Sequence, residues 1–116
     1  MNNFNKISVA GEARTELHDL LNLTGAEVSV NALPAGASVP FVHSHKENEE
    51  IYAVLEGEGY AEIDGENVAL KAGDWLRVSA SARRRFFAST EKALKYICIQ
   101  VKANSLGGYT MSDAIV

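Results

Sequence analysis

The sequence predicts a small all-β domain in which short strands are joined by tight turns. Apolar and polar residues alternate in several short runs, glycine-containing turns separate these runs, and no helical period is found between residues 41 and 101. Nine glycines against two prolines also suit a turn-rich β fold. A chain of 116 residues is long enough for one hydrophobic core and too short for two.

Two elements are predicted before the centre of the chain. Residues 15–21 begin with a capping residue and carry leucines at positions 17, 20 and 21, a pattern typical of one or two helical turns. Residues 27–31 alternate and predict a strand. Residues 33–37 contain Pro34 and Gly36 and predict a turn, which leads into a strand that carries two histidines.

The centre of the chain predicts a meander of four strands, which is typical of a sandwich or barrel. The dipeptide Asp64-Gly65 between two of them is a strong hairpin signal. Trp75 begins the last of the four and is expected to serve mainly in packing. The four strands lie in residues 51–55, 60–63, 68–70 and 75–78, and residues 93–101 form a further strand-like run.

Two histidines precede the first run of this meander. His43 and His45 are two residues apart, and in a strand that spacing directs both imidazoles to one face while Ser44 points away. A carboxylate from the next strand can complete the group. Imidazole nitrogen together with carboxylate oxygen favours iron, manganese, nickel, copper or zinc over calcium or magnesium. The alternative is a pair of surface histidines in a polar turn, beside glutamates that face water.

The same segment resembles the first motif of the cupins, a family of small double-stranded β-helix, or jelly-roll, barrels. In that motif His-x-His is followed, after three or four intervening residues, by a glutamate, and after six more by a glycine. His43, His45, Glu50 and Gly57 fit the longer spacing, whereas Glu49 fits the shorter one and misses the glycine by one position. The resemblance implies a cupin barrel with a short N-terminal helical turn, and a metal site formed by His43, His45 and Glu50.

The second cupin motif is matched only at its start, by Gly73-Asp74. At the later positions, the usual proline, glycine, histidine and asparagine fall on Ser79, Ser81, Arg84 and Ala88. An arginine stays protonated and only donates hydrogen bonds, so Arg84 cannot replace a metal-binding histidine. The resemblance therefore extends over about residues 33–101, with a specific first motif and a degraded second one.

Arg84 leaves three alternatives open. It can lie behind a metal held by the two histidines and Glu50 and bind an anionic group of a substrate. It can instead pair with Glu50 in a pocket that binds a small anion with weak or no metal. The guanidinium repels a metal ion there, by about 4 kcal/mol for two unit positive charges near 4 Å apart at intermediate dielectric. Finally, residues 83–85 can form an edge strand whose charges all reach water.

Strand parity predicts the lining of the pocket. If Glu50 faces inward, Tyr52 and Val54 do too, and Phe41 shares the inward face of the histidines. Tyr52 is then a candidate substrate-binding residue, although a core tyrosine bonded to a backbone carbonyl is an equal alternative. Residues 51, 53 and 55 face the other way and need cover. We therefore expect a homodimer, which the resemblance also implies.

The remaining features limit the cellular setting and the partners. We expect one cupin domain over residues 1–116, with a barrel core at about 26–101 and a C-terminal tail at about 104–116. A formal net charge of −4 disfavours nucleic acid and anionic membranes as partners. No secretory signal or membrane span is recognised, so a cytoplasmic protein is expected. The single cysteine, Cys98, agrees with a reducing compartment and is interpreted as a small buried hydrophobe.

Two functional hypotheses follow. The first is a metal-dependent enzyme that acts on a small polar or anionic metabolite, and the chemistries that the resemblance suggests are isomerisation, oxygenation and decarboxylation. The second is a non-catalytic module that binds a small anionic ligand, with Arg84 paired to Glu50 and the metal weak or absent. No residue in the sequence is identified as the general acid or base.

Overall fold

The computed structural model describes residues 3–116 and consists mainly of antiparallel strands. This confirms the predicted all-β fold with one short helical turn. The elements are β1 (Arg14–Glu16), α1 (His18–Leu21), β2 (Glu27–Leu33), β3 (Asn48–Ile63), β4 (Glu66–Lys71), β5 (Trp75–Val78), β6 (Arg84–Ala88), β7 (Leu94–Lys102) and a 3-10 turn (Thr110–Ser112). Among the described residues, no helix has the length and apolar character needed to cross a membrane.

The long strand β3 belongs to two sheets. Its first half lies between β7 and β5, with β2 and β1 beyond β7, and its second half lies between β4 and β6. A register shift between Val54 and Glu56 separates the halves, and such a bulge bends and twists a strand. Our prediction of two separate strands around Gly57 and Gly59 is therefore wrong, because the bulge redirects the chain without ending its pairing.

The predicted hairpin at Asp64-Gly65 is confirmed. The φ angles of these residues are 49° and 81°, and two successive left-handed residues form the tight turn whose twist matches that of the flanking strands. The turn joins β3 to β4 with Ile63 opposite Glu66. By contrast, Trp75 contributes little to packing within the described chain, contrary to expectation, because its side chain lies on the outer face of β5 and is 71% exposed.

The two histidines lie outside the regular strands. Residues 38–47 run along β6 and pair with it at two isolated bridges, Ser38 with Phe87 and His43 with Arg84. The predicted regular strand through the histidines is therefore replaced by an irregular extended segment. Because this segment covers the free side of β6, that strand is not at the edge of its sheet.

The core lies between the two sheets and is partly aromatic. Tyr52 and Phe86 have ring centroids 4.2 Å apart, and Phe86 stacks on Tyr96 at 5.1 Å. Such contacts stabilise a fold beyond the burial of their surface, by about 0.5–1.5 kcal/mol per pair. The buried apolar cluster comprises Tyr52, Val54, Ala61, Leu70, Val78, Phe86, Ala88, Leu94, Tyr96 and Cys98.

Gly57 is the position where β3 approaches the chain before β7 most closely. Its φ is +85°, and an added Cβ would lie 1.7 Å from the carbonyl oxygen of Ala93. The backbone itself blocks a side chain there, so no rotamer change can relieve the overlap. The glycine of the first sequence motif therefore has a packing role as well as a conformational one.

We predict that Gly57→Ala lowers the free energy of unfolding by at least about 3 kcal/mol, because it combines overlap with a left-handed backbone. Gly65→Ala is the matched control, since its φ is +81° but nothing lies within 4 Å of the added Cβ. We expect a loss of only about 1 kcal/mol there. Denaturant unfolding of both variants measures the difference, and equal losses would contradict the packing role.

Candidate metal centre and its cavity

His43, His45 and Glu50 converge on one side of the space between the sheets. His43 exchanges backbone hydrogen bonds with Arg84 at 3.1 and 2.9 Å, and the backbone N–H of His45 donates to the carbonyl of Ala80 at 2.8 Å. Glu50 enters from β3, where it lies opposite both β5 and β7. One ligand atom from each of the three side chains lies within 4.8 Å of the others, so the group can hold a metal ion.

The donor atoms lie near the spacing of metal ligands, within it for one pair and wider for the other. His45 Nε2 lies 3.1 Å from Glu50 Oε2, and His43 Nε2 lies 3.8 Å from Glu50 Oε1. Metal ligands at bond lengths of about 2.1 Å are separated by about 3.0–3.4 Å. Although His45 Nε2 is close to the carboxylate, it makes no hydrogen bond to any residue between 3 and 116. A buried imidazole nitrogen that lies near a carboxylate without a hydrogen bond to it can bind the same metal ion as that carboxylate.

Glu50, rather than Glu49, faces the histidines, as strand parity predicts. Glu50 is 2% exposed, whereas Glu49 points to the outer face and accepts a hydrogen bond from Arg77 Nε at 2.8 Å. Tyr52 and Val54 are buried on the inner side with Glu50. The period-two pattern of β3 thus identified the inward carboxylate correctly.

Two neutral donors hold the Glu50 carboxylate from within the barrel. The hydroxyl of Tyr52 donates to Oε1, and the thiol of Cys98 donates to Oε2 at 3.2 Å. Burial and the nearby Cys98 and Glu50 raise the pKa of Tyr52 far above its usual value. Burial and Glu50 likewise raise the pKa of Cys98 to about 12. Both groups therefore stay protonated at neutral pH and can act as donors to the carboxylate.

Arg84 lies in the core with no exposed surface. Its Nε is 3.7 Å from Glu50 Oε1, and its Nη2 donates to the carbonyl of Ser79 at 2.6 Å. Within the part of the chain that the structure describes, Nε and Nη1 make no hydrogen bond. The interpretation of residues 83–85 as a solvent-exposed edge strand is therefore wrong for Arg84. Arg84 also does not line the cavity described below, so the structure gives no support to a direct substrate contact at this residue.

The pKa of His43 is lowered, which favours metal binding at neutral pH. Burial is the main cause, and the positive charge of Arg84 adds to it, while Glu50 acts in the opposite direction. Because a metal competes with a proton for the imidazole lone pair, a lowered pKa keeps the nitrogen free to bind. His43 Nδ1 has no hydrogen-bond partner among the described residues.

A cavity of about 660 Å³ opens beside the three candidate ligands. Its wall is mostly apolar, and sequence reasoning missed several of its members. Tyr96 and Cys98 share the inward parity of β7 and could have been found by that pattern. Arg14 reaches the cavity from β1, and no local signal in the sequence indicates this. The lining includes Arg14, Asn31, Leu33, Val39, Phe41, His43, His45, Glu50, Tyr52, Arg85, Phe86, Tyr96 and Cys98.

Comparisons with solved structures find chains of similar architecture. A cupin protein from Bacteroides fragilis is 59% identical, with a TM-score of 0.97 over 100% of this chain and 98% of that chain. A predicted oxalate decarboxylase from Thermotoga maritima is 27% identical, with a TM-score of 0.58 over 66% of this chain and 64% of that chain. A sugar phosphate isomerase of the cupin superfamily from Silicibacter pomeroyi is 22% identical, with a TM-score of 0.68 over 78% and 60% of the two chains, and shows a likeness of fold alone.

A comparison with curated proteins finds no match. The family model described as the cupin domain matches residues 29–100, which is more than half of the chain. This range contains the histidine segment, β3 and the buried Arg84. Because the family model, the strand topology and the structure from Bacteroides fragilis agree, this chain belongs to the cupin family.

Proposed function

We propose that this cupin binds a divalent transition metal through His43, His45 and Glu50, and a small molecule in the adjacent cavity. The observation that carries the proposal is the convergence of three donors, including an unbonded buried imidazole nitrogen, on the wall of a cavity of about 660 Å³. Two histidines and one carboxylate suit iron, manganese, nickel, copper or zinc. Such a set leaves coordination positions open for water or a ligand.

A metal there supplies Lewis acidity, which polarises an oxygen of the bound molecule or lowers the pKa of bound water. The chain's own residues provide the support for this chemistry. Tyr52 and Cys98 fix the two oxygens of Glu50, and the ring of Tyr52 also lines the cavity, where it can contact the ligand. Decarboxylation and isomerisation, named for two of the similar structures, and oxygenation are the reactions that we consider for this site.

We predict that protein purified without chelator carries close to one transition-metal ion per chain. His43→Ala combined with His45→Ala removes two of three ligands and is expected to abolish the metal, with little change in the fold. His18→Ala is the control, since His18 is exposed and bonds to Asp19. Elemental analysis measures the metal. If the wild type contains only trace metal and takes up none on titration, the proposal is contradicted.

A second candidate function is a metal-free binding module. It is favoured by the contacts of Glu50, which already has Arg84 Nε at 3.7 Å and donors from Tyr52 and Cys98. A buried carboxylate with these partners is compensated without a metal ion. In this alternative the cavity binds a small molecule, and the two histidines act as ordinary polar groups of its wall.

Replacing Arg84 separates the two candidates. We predict that Arg84→Met lowers the free energy of unfolding of metal-free protein by about 3–5 kcal/mol, because Glu50 loses its buried counter-charge. Added zinc or manganese is expected to restore stability, and to bind at least tenfold more tightly than to the wild type, because the repulsion of a guanidinium is gone.

Arg83→Met is the matched control, since Arg83 is an exposed neighbour of Arg84. Thermal unfolding with and without metal gives the stabilities, and calorimetric titration gives the affinities. If metal stabilises neither the wild type nor Arg84→Met, the metal-free module is the correct alternative.

We also propose that the protein forms a homodimer through the outer face of the five-stranded sheet. Ala53 lies directly opposite Trp75 on β5 and Ile97 on β7, and Ile51 lies opposite Ile99, so these side chains share one outward face. The exposed indole of Trp75 gives this face an apolar surface suited to association.

We predict that Trp75→Glu shifts the protein from dimer to monomer, because it places a charge in the apolar interface. Ala69→Glu is the control, since Ala69 is exposed on β4 in the other sheet. Sedimentation equilibrium measures the mass. A wild-type mass of one chain at micromolar concentration would exclude the dimer.

A further inference from the structure

We propose that the cavity binds a largely apolar, ring-containing carboxylate, with its carboxylate held by Arg14 and its opposite end at the His43–His45–Glu50 group. This inference deepens the proposed function and rests on it only for the end of the ligand that contacts the metal. The carboxylate end and the ring depend on contacts that exist without a metal.

The walls of the cavity suit a flat apolar body. Phe86 stacks on Tyr96 with ring planes 22° apart, and both line the cavity. Phe41 lies at the entrance, 60% exposed, with its ring centroid 5.8 Å from that of His43. Leu33 adds an aliphatic side chain to the wall. A ring placed among these groups gains apolar burial and aromatic contacts together.

A polyhydroxylated ligand fits the same walls poorly. Each sugar hydroxyl needs a hydrogen-bond partner, and an unmet polar group is unfavourable once it leaves water. Several neutral polar side chains of the wall already bond within the protein. Asn31 accepts from Arg14 and donates to Ser29, and Gln100 accepts from Asn48. Ser38 likewise accepts from Arg85.

Arg14 is oriented for an anion. Its Nη1 donates to Asn31 Oδ1 at 2.7 Å and its Nε donates to Glu16 Oε1 at 3.1 Å, which fixes the plane of the guanidinium. Nη2 makes no hydrogen bond to any residue in the range 3–116, so two N–H groups are free for a carboxylate. The side chain is about half exposed, so it lies where an entering ligand meets it first.

Arg14 and the candidate metal centre share one cavity. Phe86 and Tyr96 line the same wall, so a ligand that contacts Arg14 with one end can place its ring beside these side chains and its other end at the histidines. The ion pair with Glu16 offsets part of the charge of Arg14, so the free N–H groups of Nη2, rather than a long-range potential, are the basis for recognition of the carboxylate.

Calorimetric titration with three probes tests the inference. They are 3-(4-hydroxyphenyl)propanoate, its methyl ester, which has the same shape without the charge, and glucose 6-phosphate, a polar anion. In manganese-loaded wild type, we expect the acid to bind about ten- to a hundredfold more tightly than the ester, because an ionised partner strengthens the hydrogen bonds of Arg14. Arg14→Gln is expected to bring this ratio close to one, and Arg83→Gln to leave it unchanged.

The same titrations in EDTA separate this inference from the metal proposal. If no metal binds but the acid still prefers wild type to Arg14→Gln, the metal proposal fails and the carboxylate site stands. The carboxylate site is overturned by equal binding of acid and ester in the wild type. An unchanged ratio in Arg14→Gln, tighter binding of glucose 6-phosphate, or no binding of the acid at millimolar concentration also overturns it.

Discussion

Glu50 is almost entirely removed from water, and an isolated carboxylate in that position is unfavourable by several kcal/mol. The protein offsets this with groups from four parts of the chain: Tyr52 on β3, Cys98 on β7, Arg84 on β6 and the histidines of residues 38–47. The buried charge therefore requires both sheets and the segment beside β6 to be in place at once. Its compensation is a condition for the closed barrel as well as for the candidate site.

The length of β3 makes this convergence possible. A single strand of sixteen residues pairs with β7 and β5 in its first half and with β4 and β6 in its second. The register shift after Val54 lets one strand serve both sheets, and Gly57 allows the backbone of residue 93 to pass close by. Glu50 and Tyr52 are consequently placed by a rigid element, which is more accurate than placement by a loop.

Local patterns predicted the parts of this structure that depend on near neighbours. The period of two in β3 identified Glu50, Tyr52 and Val54 as inward residues, and Asp64-Gly65 identified the hairpin. The continuity of β3 through its glycines was missed, because a bulge depends on pairing with distant strands. The arrival of Arg14 in the cavity was missed for the same reason, and the choice among the three placements of Arg84 stayed open, since each depends on the register between strands far apart in sequence.

The two imidazoles and the carboxylate belong to parts of the fold that are held with different strength. Glu50 sits in a strand paired on both sides, whereas His43 and His45 belong to a segment attached to β6 by isolated bridges and a few backbone hydrogen bonds. Such a segment can detach locally while the sheets stay intact. An ion bound to all three side chains would then hold the histidine segment against β3. Exchange of such an ion would then require this segment to open, and a molecule bound in the cavity would enter and leave through the same opening.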